Sequence, residues 1–288
     1  MTAALPYYLG CPSWSDPVWR EYLYPADARS TDFLALYCHV FNAVEGNTTF
    51  YARPAAATIA RWAQIMPAHF RFTAKFPGDI SHQGDLREQI DAARDFLQLL
   101  SPLGQRVSPA WLQLPATFGP SRLGELAAFL DGLDAHVAVE VRNDAFFARG
   151  DEERVLNRLL HDRGIERICL DPRALFSGDP REPSIRHAQA KKPRVPPRPA
   201  AFTACPQVRF IGHPHLETND VFLLPWLDKV AGWIEEGRTP YVFLHTADNR
   251  LAAALAQRFH QQLSLRLPGL PSLEEWPRAP EVEQLGLI

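Results

Sequence analysis

The sequence predicts an α/β protein in which eight parallel strands, each followed by a helix, close into a (β/α)8 TIM barrel. Strand-like and helix-like segments alternate about eight times along the 288 residues. Such alternation is typical of parallel strands joined by crossover helices. The length agrees, because α/β barrels of about 250 residues commonly form a single domain. A doubly wound open sheet is less favoured, since no Gly-x-Gly-x-x-Gly follows the first strand. We therefore expect one domain over residues 1–288.

The predicted elements follow from periodicity and capping residues. The strands cover residues 7–11, 41–46, 70–76, 110–114, 136–142, 166–171, 207–212 and 241–245. The helices cover residues 31–39, 55–65, 85–100, 121–133, 152–163, 221–236 and 251–263. Ser30 or Thr31 is a plausible cap for the first helix, and Gly164 closes a later one. Two parts lack periodicity: we expect a basic, proline-rich loop at about residues 174–206 and an irregular tail from about residue 268.

Composition narrows the classes of function. The net charge is −3, so nucleic-acid binding would need a local basic patch. Four widely spaced cysteines without a Cys-x-x-Cys pair argue against a disulfide framework and a structural zinc site. We see no signal peptide and no apolar run of about 18 residues, so we expect a cytoplasmic protein with no membrane partner. Only four of the 30 basic residues are lysines: Lys75, Lys191, Lys192 and Lys229.

Side-chain alternation predicts which polar residues face the barrel axis. In a barrel, alternate side chains of a strand point inward, and the others pack beneath the helices. If the apolar set of each strand packs beneath the helices, one polar set faces inward: Glu45, Asn47, Lys75, Gln113, Glu140, Arg142, Asp171, Arg209, His213 and His245. Most of these residues lie at the carboxyl ends of their strands, where barrel enzymes build their active sites.

Two interpretations of this polar set stay open. Buried charges cost several kcal/mol each unless they are paired or solvated, and a functional pocket would explain why so many are present. Structural ion pairs, such as Glu140 with Arg142 or Lys75 with Glu45, would explain individual members equally well. The contribution of six or more strands favours a pocket. Arg209 lies in mid-strand, so we expect it to be structural.

The pocket suits an enzyme that acts on a small anionic molecule, bearing a phosphate or carboxylate, or on a sugar-like one. Glu45 and Glu140 are candidates for general acid and base, because unlike surroundings can separate two carboxylate pKa values. Lys75 is a third catalytic candidate, since a strand lysine can form a Schiff base, and with Arg142 it would hold the anion. The other substrate-binding candidates are Asn47, Tyr51 and Gln113, which would orient hydroxyl groups, Trp14 as a wall, and Asp171 and His245 at strand ends.

No cofactor is predicted, and a divalent metal is a minor alternative. Acceptable ligands occur on the inner face: Glu45, Glu140, Asp171, His213 and His245. No His-x-x-x-His spacing is present, and the positive charges of Lys75 and Arg142 would oppose a cation. We therefore assign no metal ligands.

A nucleic-acid-binding barrel, nuclease-like or not catalytic, is the alternative function. The predicted loop carries a run of basic side chains without any acid: Arg186, His187, Lys191, Lys192, Arg194 and Arg198. Such a run can contact phosphates. Its prolines predict an extended, mobile segment, and a solvated loop with no function explains the same composition.

Several motifs occur in a specific order along nearly the whole chain. They are Gly10-Cys11-Pro12-Ser13-Trp14-Ser15, Tyr24-Pro25, Phe41 through Tyr51, Trp62, Phe70 through Lys75, Gln113-Leu114-Pro115 and Ala138-Val139-Glu140-Val141-Arg142. By these motifs and their order, the chain resembles the YecE-like family, domain of unknown function 72. The resemblance implies a TIM-barrel fold and no firm reaction. A suggested similarity of that family to barrel nucleases of the endonuclease IV kind implies DNA binding.

The chain departs from the pattern of that family at three places. Gly46 and Thr48 replace an isoleucine and a serine after the second strand. Ile211 stands where the pattern has a histidine, and His245-Thr246 replace an Asn-Asn pair. If those residues carry chemistry in the family, this chain has changed or lost it.

Overall fold

The structure is a computed structural model that describes residues 4–20 and 22–274. Within these residues the strands are β1 Tyr8–Cys11, β2 Ala43–Gly46, β3 Arg71–Ala74, β4 Ala110–Gln113, β5 Val137–Glu140, β6 Glu166–Arg167, β7 Cys169–Asp171, β8 Gln207–Ile211 and β9 Tyr241–His245. The α-helices are α1 Phe33–Val40, α2 Thr48–Tyr51, α3 Ala56–Ile65, α4 Gly78–Ser81, α5 Ile90–Leu100, α6 Leu123–Asp131, α7 Asp151–His161, α8 Arg173–Phe176, α9 Pro183–Lys191, α10 Asp220–Glu235 and α11 Ala252–Ser264.

The strands pair in parallel to form two sheets. The larger sheet has six strands in the order β3-β2-β1-β9-β8-β7, and the smaller has three in the order β4-β5-β6. The predicted α/β class and parallel pairing are confirmed. The predicted closure into one barrel is not shown by the strand pairing, which leaves the two sheets separate.

The two sheets meet at two places. Lys75, which follows β3 directly, forms an isolated parallel bridge with Trp111 in the first half of β4, and the Phe76 amide donates a 2.9 Å hydrogen bond to the Trp111 carbonyl. The strands β6 and β7 are consecutive in the chain and are separated only by Ile168, whose amide donates to the Val139 carbonyl at 2.9 Å. The polar strand ends of both sheets therefore lie in one region.

Apolar side chains cover both faces of the strands, as expected for parallel sheets. An inner cluster joins residues of both sheets: Ala43, Trp111, Ala138, Ile168, Tyr241 and Phe243. The Trp111 and Phe243 rings meet edge to face, with centroids 5.2 Å apart. The opposite faces of the strands pack against the helices in a larger cluster, to which Val44, Phe72 and Leu112 belong. No helix in the described part of the chain is both long and apolar enough to cross a membrane.

The predicted irregular segment at 174–206 contains structure that the sequence did not reveal. The helix α9, Pro183–Lys191, begins at a proline, which is well suited to the first helical position. Only Ile185 and Ala188 of this helix are buried, so it shows almost no apolar periodicity. The prediction of an extended segment is therefore wrong for residues 183–191, whereas residues 192–206, which contain most of the segment's prolines, are irregular as predicted. The predicted tail is irregular from 271 to 274, and its remainder lies outside the described residues.

The predicted inward orientation of Asp171 is wrong. The partner of Leu170 in the ladder is Arg209, which points inward, so Leu170 points inward and Asp171 faces the helices. Asp171 pairs with Arg173 at 2.7 Å and accepts a 2.7 Å hydrogen bond from Trp226 Nε1 of α10. Both faces of this strand are buried, so its apolar residues gave no reliable signal of direction.

Candidate functional site

The carboxylate of Glu45, on β2, lies among three side chains from other strands. The distance from its Oε1 is 2.7 Å to Lys75 Nζ and 2.8 Å to Arg209 Nη2. Its Oε2 lies 2.6 Å from His245 Nε2. Glu45 is only 1% exposed, so bulk solvent does not stabilise its charge. The predicted inward orientation of Glu45, Lys75 and His245 agrees with these contacts.

Arg209 connects the two inner carboxylates. Its Nε donates to Glu45 Oε1 at 2.9 Å, and its Nη1 donates to Glu140 Oε2 at 3.2 Å. Arg142 Nε donates to Glu140 Oε1 at 2.8 Å. The two carboxylates therefore share one guanidinium group, and each has at least one further cation. This arrangement agrees with the expected structural role of Arg209 and also makes it part of the site.

Two amides complete the polar network. Lys75 Nζ donates to Asn47 Oδ1 at 2.7 Å and to Gln113 Oε1 at 3.3 Å, in addition to its ion pair with Glu45. Gln113 Oε1 also accepts from Arg142 Nη2 at 2.8 Å. The three ammonium hydrogens of Lys75 thus have three acceptors. Seven predicted site residues, together with Arg209, form one connected network: Glu45, Asn47, Lys75, Gln113, Glu140, Arg142 and His245.

A cavity of about 670 Å³ opens above this network at the carboxyl ends of the strands. The residues that line it include Asn47, Tyr51, Lys192, Arg209 and His245. Five other members of the network do not line the cavity: Glu45, Lys75, Gln113, Glu140 and Arg142. The volume falls within the range of about 300–1,000 Å³ that is usual for small-molecule sites.

Two predicted substrate-binding residues lie apart from this cavity. The ring of Trp14 packs edge to face against Trp62 and Phe72, with centroid distances of 5.1 and 5.9 Å. Asp171 faces α10. Tyr51, by contrast, lies at the mouth of the cavity and is 82% exposed.

The environment keeps both inner carboxylates ionised. Burial alone would raise the pKa of Glu45, but Arg209, His245 and Lys75 hold it well below its usual range. Burial likewise opposes ionisation of Glu140, yet Arg209, Arg142 and Lys75 lower its pKa to about 2. A carboxylate with so low a pKa is a weak base at neutral pH. Both residues therefore act first as anchors for cations.

Burial has the opposite effect on the bases of the network. It lowers the pKa of His245 to about 4, even though Glu45 lies beside the ring. The imidazole is then neutral at pH 7, and its Nε2 must carry the hydrogen because the ionised Glu45 can only accept. Burial and Arg209 also lower the pKa of Lys75 to about 8. Both groups thus have a pKa far from that of the free side chain, as is frequent in functional sites.

Lys192 lines the cavity but was not among the predicted pocket residues. It follows α9 directly, and none of the described carboxylates forms an ion pair with it. Partial burial, together with Arg209, Lys75 and Arg142, holds the pKa of Lys192 well below its usual range. One signal was present in the sequence, since a lysine is rare in a chain with 26 arginines. The position of Lys192 in the cavity depends on the packing of α9, which the sequence did not reveal.

The predicted basic run does not form one continuous charged surface. Arg198 pairs with Glu153 at 2.8 Å and also donates to the Phe147 carbonyl. The guanidinium group of Arg194 lies over the Phe176 ring, 5.6 Å from its centroid. In addition, no group of three or more His, Cys, Asp or Glu side chains among the described residues is arranged to hold a metal ion.

Comparisons with known proteins identify the relatives of this chain. The family model described as protein of unknown function DUF72 matches residues 8–281. The chain is 41% identical over 273 residues to UPF0759 protein YecE of Escherichia coli K12, covering 94% of this chain and 97% of that protein. The protein of the same name from Escherichia coli O157:H7 matches with the same identity and coverage.

Solved structures agree with the fold. A DUF72 family protein from Thermotoga maritima has a TM-score of 0.66 at 22% identity, covering 90% of this chain and 99% of its own. A DUF72 family protein from Enterococcus faecalis has a TM-score of 0.67 at 20% identity, covering 93% and 99%. At these identities the likeness concerns the fold alone.

Proposed function

The chain belongs to the DUF72 family, a family of unknown function, and we propose that its cavity binds a small anionic molecule bearing a phosphate or carboxylate group. The observation that carries this proposal is Lys192, a cavity lysine that forms no ion pair with a described carboxylate. An anion entering the cavity would supply the missing partner, and charge-assisted hydrogen bonds of this kind are among the stronger ones in proteins.

The charge balance of the site supports the same proposal. Around the cavity floor, four cations face two carboxylates: Lys75, Arg142, Arg209 and Lys192 against Glu45 and Glu140. Asp16 and Asp248 also line the cavity, but each accepts a hydrogen bond from a nearby backbone amide in its own turn. A hydrogen bond from an amide does not cancel the charge of a carboxylate. The deficit of negative charge therefore concerns the surroundings of Lys192, where the strongest charged influences are the cations Arg209, Lys75 and Arg142.

A hydroxyl group without a hydrogen-bond partner among the described residues is a second indication that the cavity binds a ligand. Thr246 lines the cavity and is 3% exposed, and its Oγ1 has no hydrogen-bond partner among the described residues. Buried polar side-chain atoms are seldom left without a partner in native proteins. The oxygen itself is covered in this structure, so a bound ligand with hydrogen-bonding oxygens would satisfy it after rotation of the Thr246 side chain toward the cavity.

We propose further that the cavity is catalytic and that His245 transfers the proton. Glu45 and Glu140 were the predicted acid and base, but their low pKa values suit them to holding cations. The pKa of His245, about 4, also makes it a weak base in the empty site, and an anion bound beside the imidazole would raise that pKa because it favours the protonated form. The neutral imidazole of His245 lines the cavity, and Glu45 fixes its orientation through the 2.6 Å contact to Nε2. Nδ1 then carries the lone pair, which is the arrangement used where a carboxylate orients a histidine base.

We infer that the two sheets are parts of one eight-stranded barrel. The support is the Lys75–Trp111 bridge between β3 and β4, and the single residue that separates β6 from β7. A barrel of this kind would gather the carboxyl ends of all strands around the cavity, as in other barrel proteins.

Calorimetric titration with inorganic phosphate at pH 7 tests the proposed anion site. We expect saturable binding to the wild-type protein and at least about tenfold weaker binding to Lys192→Ala, the usual effect of losing one charge-assisted hydrogen bond. Lys229→Ala is the matched control, because it makes the same change in net charge at an exposed position on α10. Equal losses in both variants, or no binding to the wild type, would contradict the proposal.

Nucleic-acid binding by the basic segment is less well supported. Arg198 is engaged with Glu153 in the described structure, and Lys192 lines the cavity. The two functions differ in their response to salt. Binding of an oligonucleotide across several phosphates would weaken steeply with salt concentration, whereas one small anion in a cavity would show a shallow dependence. A steep dependence, unaffected by Lys192→Ala, would favour the nucleic-acid alternative.

A further inference from the structure

The four lysines of the chain occupy different environments. Lys75 and Lys192 belong to the site. Lys191 also lines the cavity but is exposed, and Lys229 is exposed on α10. A cation that only binds an anion could be an arginine, which the chain uses 26 times. Unlike arginine, lysine can lose its proton and act as a nucleophile. The two site lysines are therefore the side chains to examine for covalent chemistry.

Lys75, the strand lysine for which the sequence suggested a Schiff base, is poorly placed for that reaction. Its ammonium group is held by Glu45, Asn47 and Gln113 at 2.7, 2.7 and 3.3 Å. The residue is 2% exposed and does not line the cavity. All three hydrogens are engaged, so a carbonyl group would have to displace an acceptor and break the network.

Lys192 differs from Lys75 in each of these respects. Its side chain lines the cavity, and it has no carboxylate partner among the described residues. Its backbone is nevertheless well anchored, because Ala188 before it and Val195 after it are buried in one apolar cluster with Ile211. Gln189 also donates hydrogen bonds to the carbonyls of the α8 region, at 3.0 and 3.2 Å. The segment thus presents a free amine from a fixed backbone.

We propose that Lys192 is a nucleophilic amine that forms a Schiff base with the carbonyl carbon of a small oxo compound bearing a carboxylate or phosphate. The inference rests on the anion site proposed above, since that site would hold the charged group of the substrate beside Lys192. Cations next to a lysine are a recognised means of activating it. Arg209 lines the same cavity and provides such a neighbour.

The reaction is a condensation that needs no oxidant or reductant. The lone pair of the Lys192 nitrogen attacks the carbonyl carbon, and the C–O π bond opens to give a carbinolamine. The oxygen then leaves as water with the two hydrogens that the neutral amine carried, and a C=N bond remains. A proton must move from nitrogen to oxygen during this step. His245 lines the same cavity and is suited to carry it.

Electrostatics favour the reactive form of this amine. Partial burial, Arg209, Lys75 and Arg142 all lower the pKa of Lys192, so more of the side chain is the free base at neutral pH than in an exposed lysine. Each unit by which the pKa falls increases the free-base fraction about tenfold. Lys192 should therefore react at a pH where an ordinary exposed lysine is almost fully protonated.

Trapping with pyridoxal 5′-phosphate and borohydride tests the proposal. This probe has an aldehyde and a phosphate, and reduction fixes the imine so that peptide mapping locates it. At pH 7 and limiting probe, we expect Lys192 to be labelled at least about tenfold faster than Lys191 or Lys229, in line with a lowered pKa. Inorganic phosphate should compete, and pyridoxal without phosphate should react more slowly.

Two variants separate this proposal from the anion site itself. Lys192→Arg keeps the positive charge, so it should retain phosphate binding in calorimetry and lose the adduct. Lys229→Arg, at an exposed position outside the cavity, should retain both. Thermal unfolding checks that each variant is folded. Phosphate binding without preferential labelling of Lys192 would overturn the nucleophile and leave the anion site standing. Labelling of Lys192 that phosphate does not affect would overturn the proposed joint site, and an adduct at Lys75 would assign the nucleophile to that residue.

Discussion

Glu45 has contacts with Lys75, Arg209 and His245, and its carboxylate is the partner that makes their burial tolerable. Removing one member of a buried ion pair leaves the other charge without compensation, which is more costly than losing an exposed pair. The sequence suggested Glu45 as a catalytic residue. At the scale of single residues, the structure favours a role in holding the site together.

We expect Glu45→Gln to lower the free energy of unfolding by about 3–5 kcal/mol, because Arg209 and Lys75 lose a buried counter-ion. Urea denaturation followed by circular dichroism measures the change. Asp131→Asn is the matched control, since it removes one carboxylate from an exposed 2.8 Å pair with Arg163 and should cost no more than about 1 kcal/mol. A Glu45→Gln protein as stable as the control would show that the carboxylate is not structurally required.

The pKa of His245 predicts how stability depends on pH. It is lowered from 6.5 to about 4 in the folded protein. As the pH falls below 6.5, the unfolded chain therefore binds the proton first, and stability is lost between pH 6.5 and about 4. The loss from this residue is on the order of 3 kcal/mol.

We expect His245→Gln to flatten the dependence of the free energy of unfolding on pH in this window. His82, His213 and His260 also have lowered pKa values, so part of the slope should remain. The exposed Gln98 on α5 provides a control that does not titrate, and Gln98→Ala should leave the slope unchanged. Equal slopes in wild type and His245→Gln would contradict a neutral, buried imidazole.

Side-chain alternation correctly predicted the direction of individual side chains where one face of a strand was apolar. The inward direction of Glu140 was predicted correctly from the apolar set Val137, Val139 and Val141. The alternation failed at Asp171, because Leu170 belongs to the apolar cluster inside the site. It could not place Lys192, which lies outside any strand. The distances and pKa values depend on side chains from several strands that meet only in the folded chain.

At the scale of elements, Asn42 joins the first two strands in an unusual way. It precedes β2 and interrupts the apolar pattern there. Its Oδ1 accepts a 2.7 Å hydrogen bond from the Leu9 amide, and its Nδ2 donates to the Tyr7 carbonyl at 2.8 Å. Tyr7 and Leu9 are fully buried, so the Asn42 side chain satisfies backbone groups at the start of β1 that bulk water does not solvate.

We expect Asn42→Ala to destabilise the protein by about 2 kcal/mol or more, because it leaves a buried amide and a buried carbonyl unsatisfied. Chemical denaturation measures the effect, with Gln98→Ala as a control at an exposed site on α5 that should stay within about 0.5 kcal/mol. A loss no larger than that of the control would show that the β1 groups find other partners.

Most elements could be predicted because their apolar periodicity is strong. The helices at 90–100 and 151–161 lie inside or close to the predicted ranges 85–100 and 152–163. The helix α9 was missed because two buried residues in nine give no recognisable period. Its position matters for function, since it ends directly before Lys192.

At the scale of the whole molecule, the fold gathers cations at one end of the strands although the net charge of the chain is −3. The alternation of elements was sufficient to predict the α/β class and the parallel pairing. It could not show how the two sheets meet, because contacts such as the Lys75–Trp111 bridge depend on the register between strands. The central claim is that this charge arrangement forms a site for a small anion.

A crystal of the wild-type protein soaked in selenate tests that claim most directly. Selenate resembles phosphate in shape, and its anomalous signal identifies it. We predict a selenate ion in the cavity with an oxygen about 3 Å from Lys192 Nζ, and no such ion in crystals of Lys192→Ala. Selenate bound only on the outer surface, or only in the cavity beside Tyr8 and Asn42 at the opposite end of the strands, would contradict the proposed site.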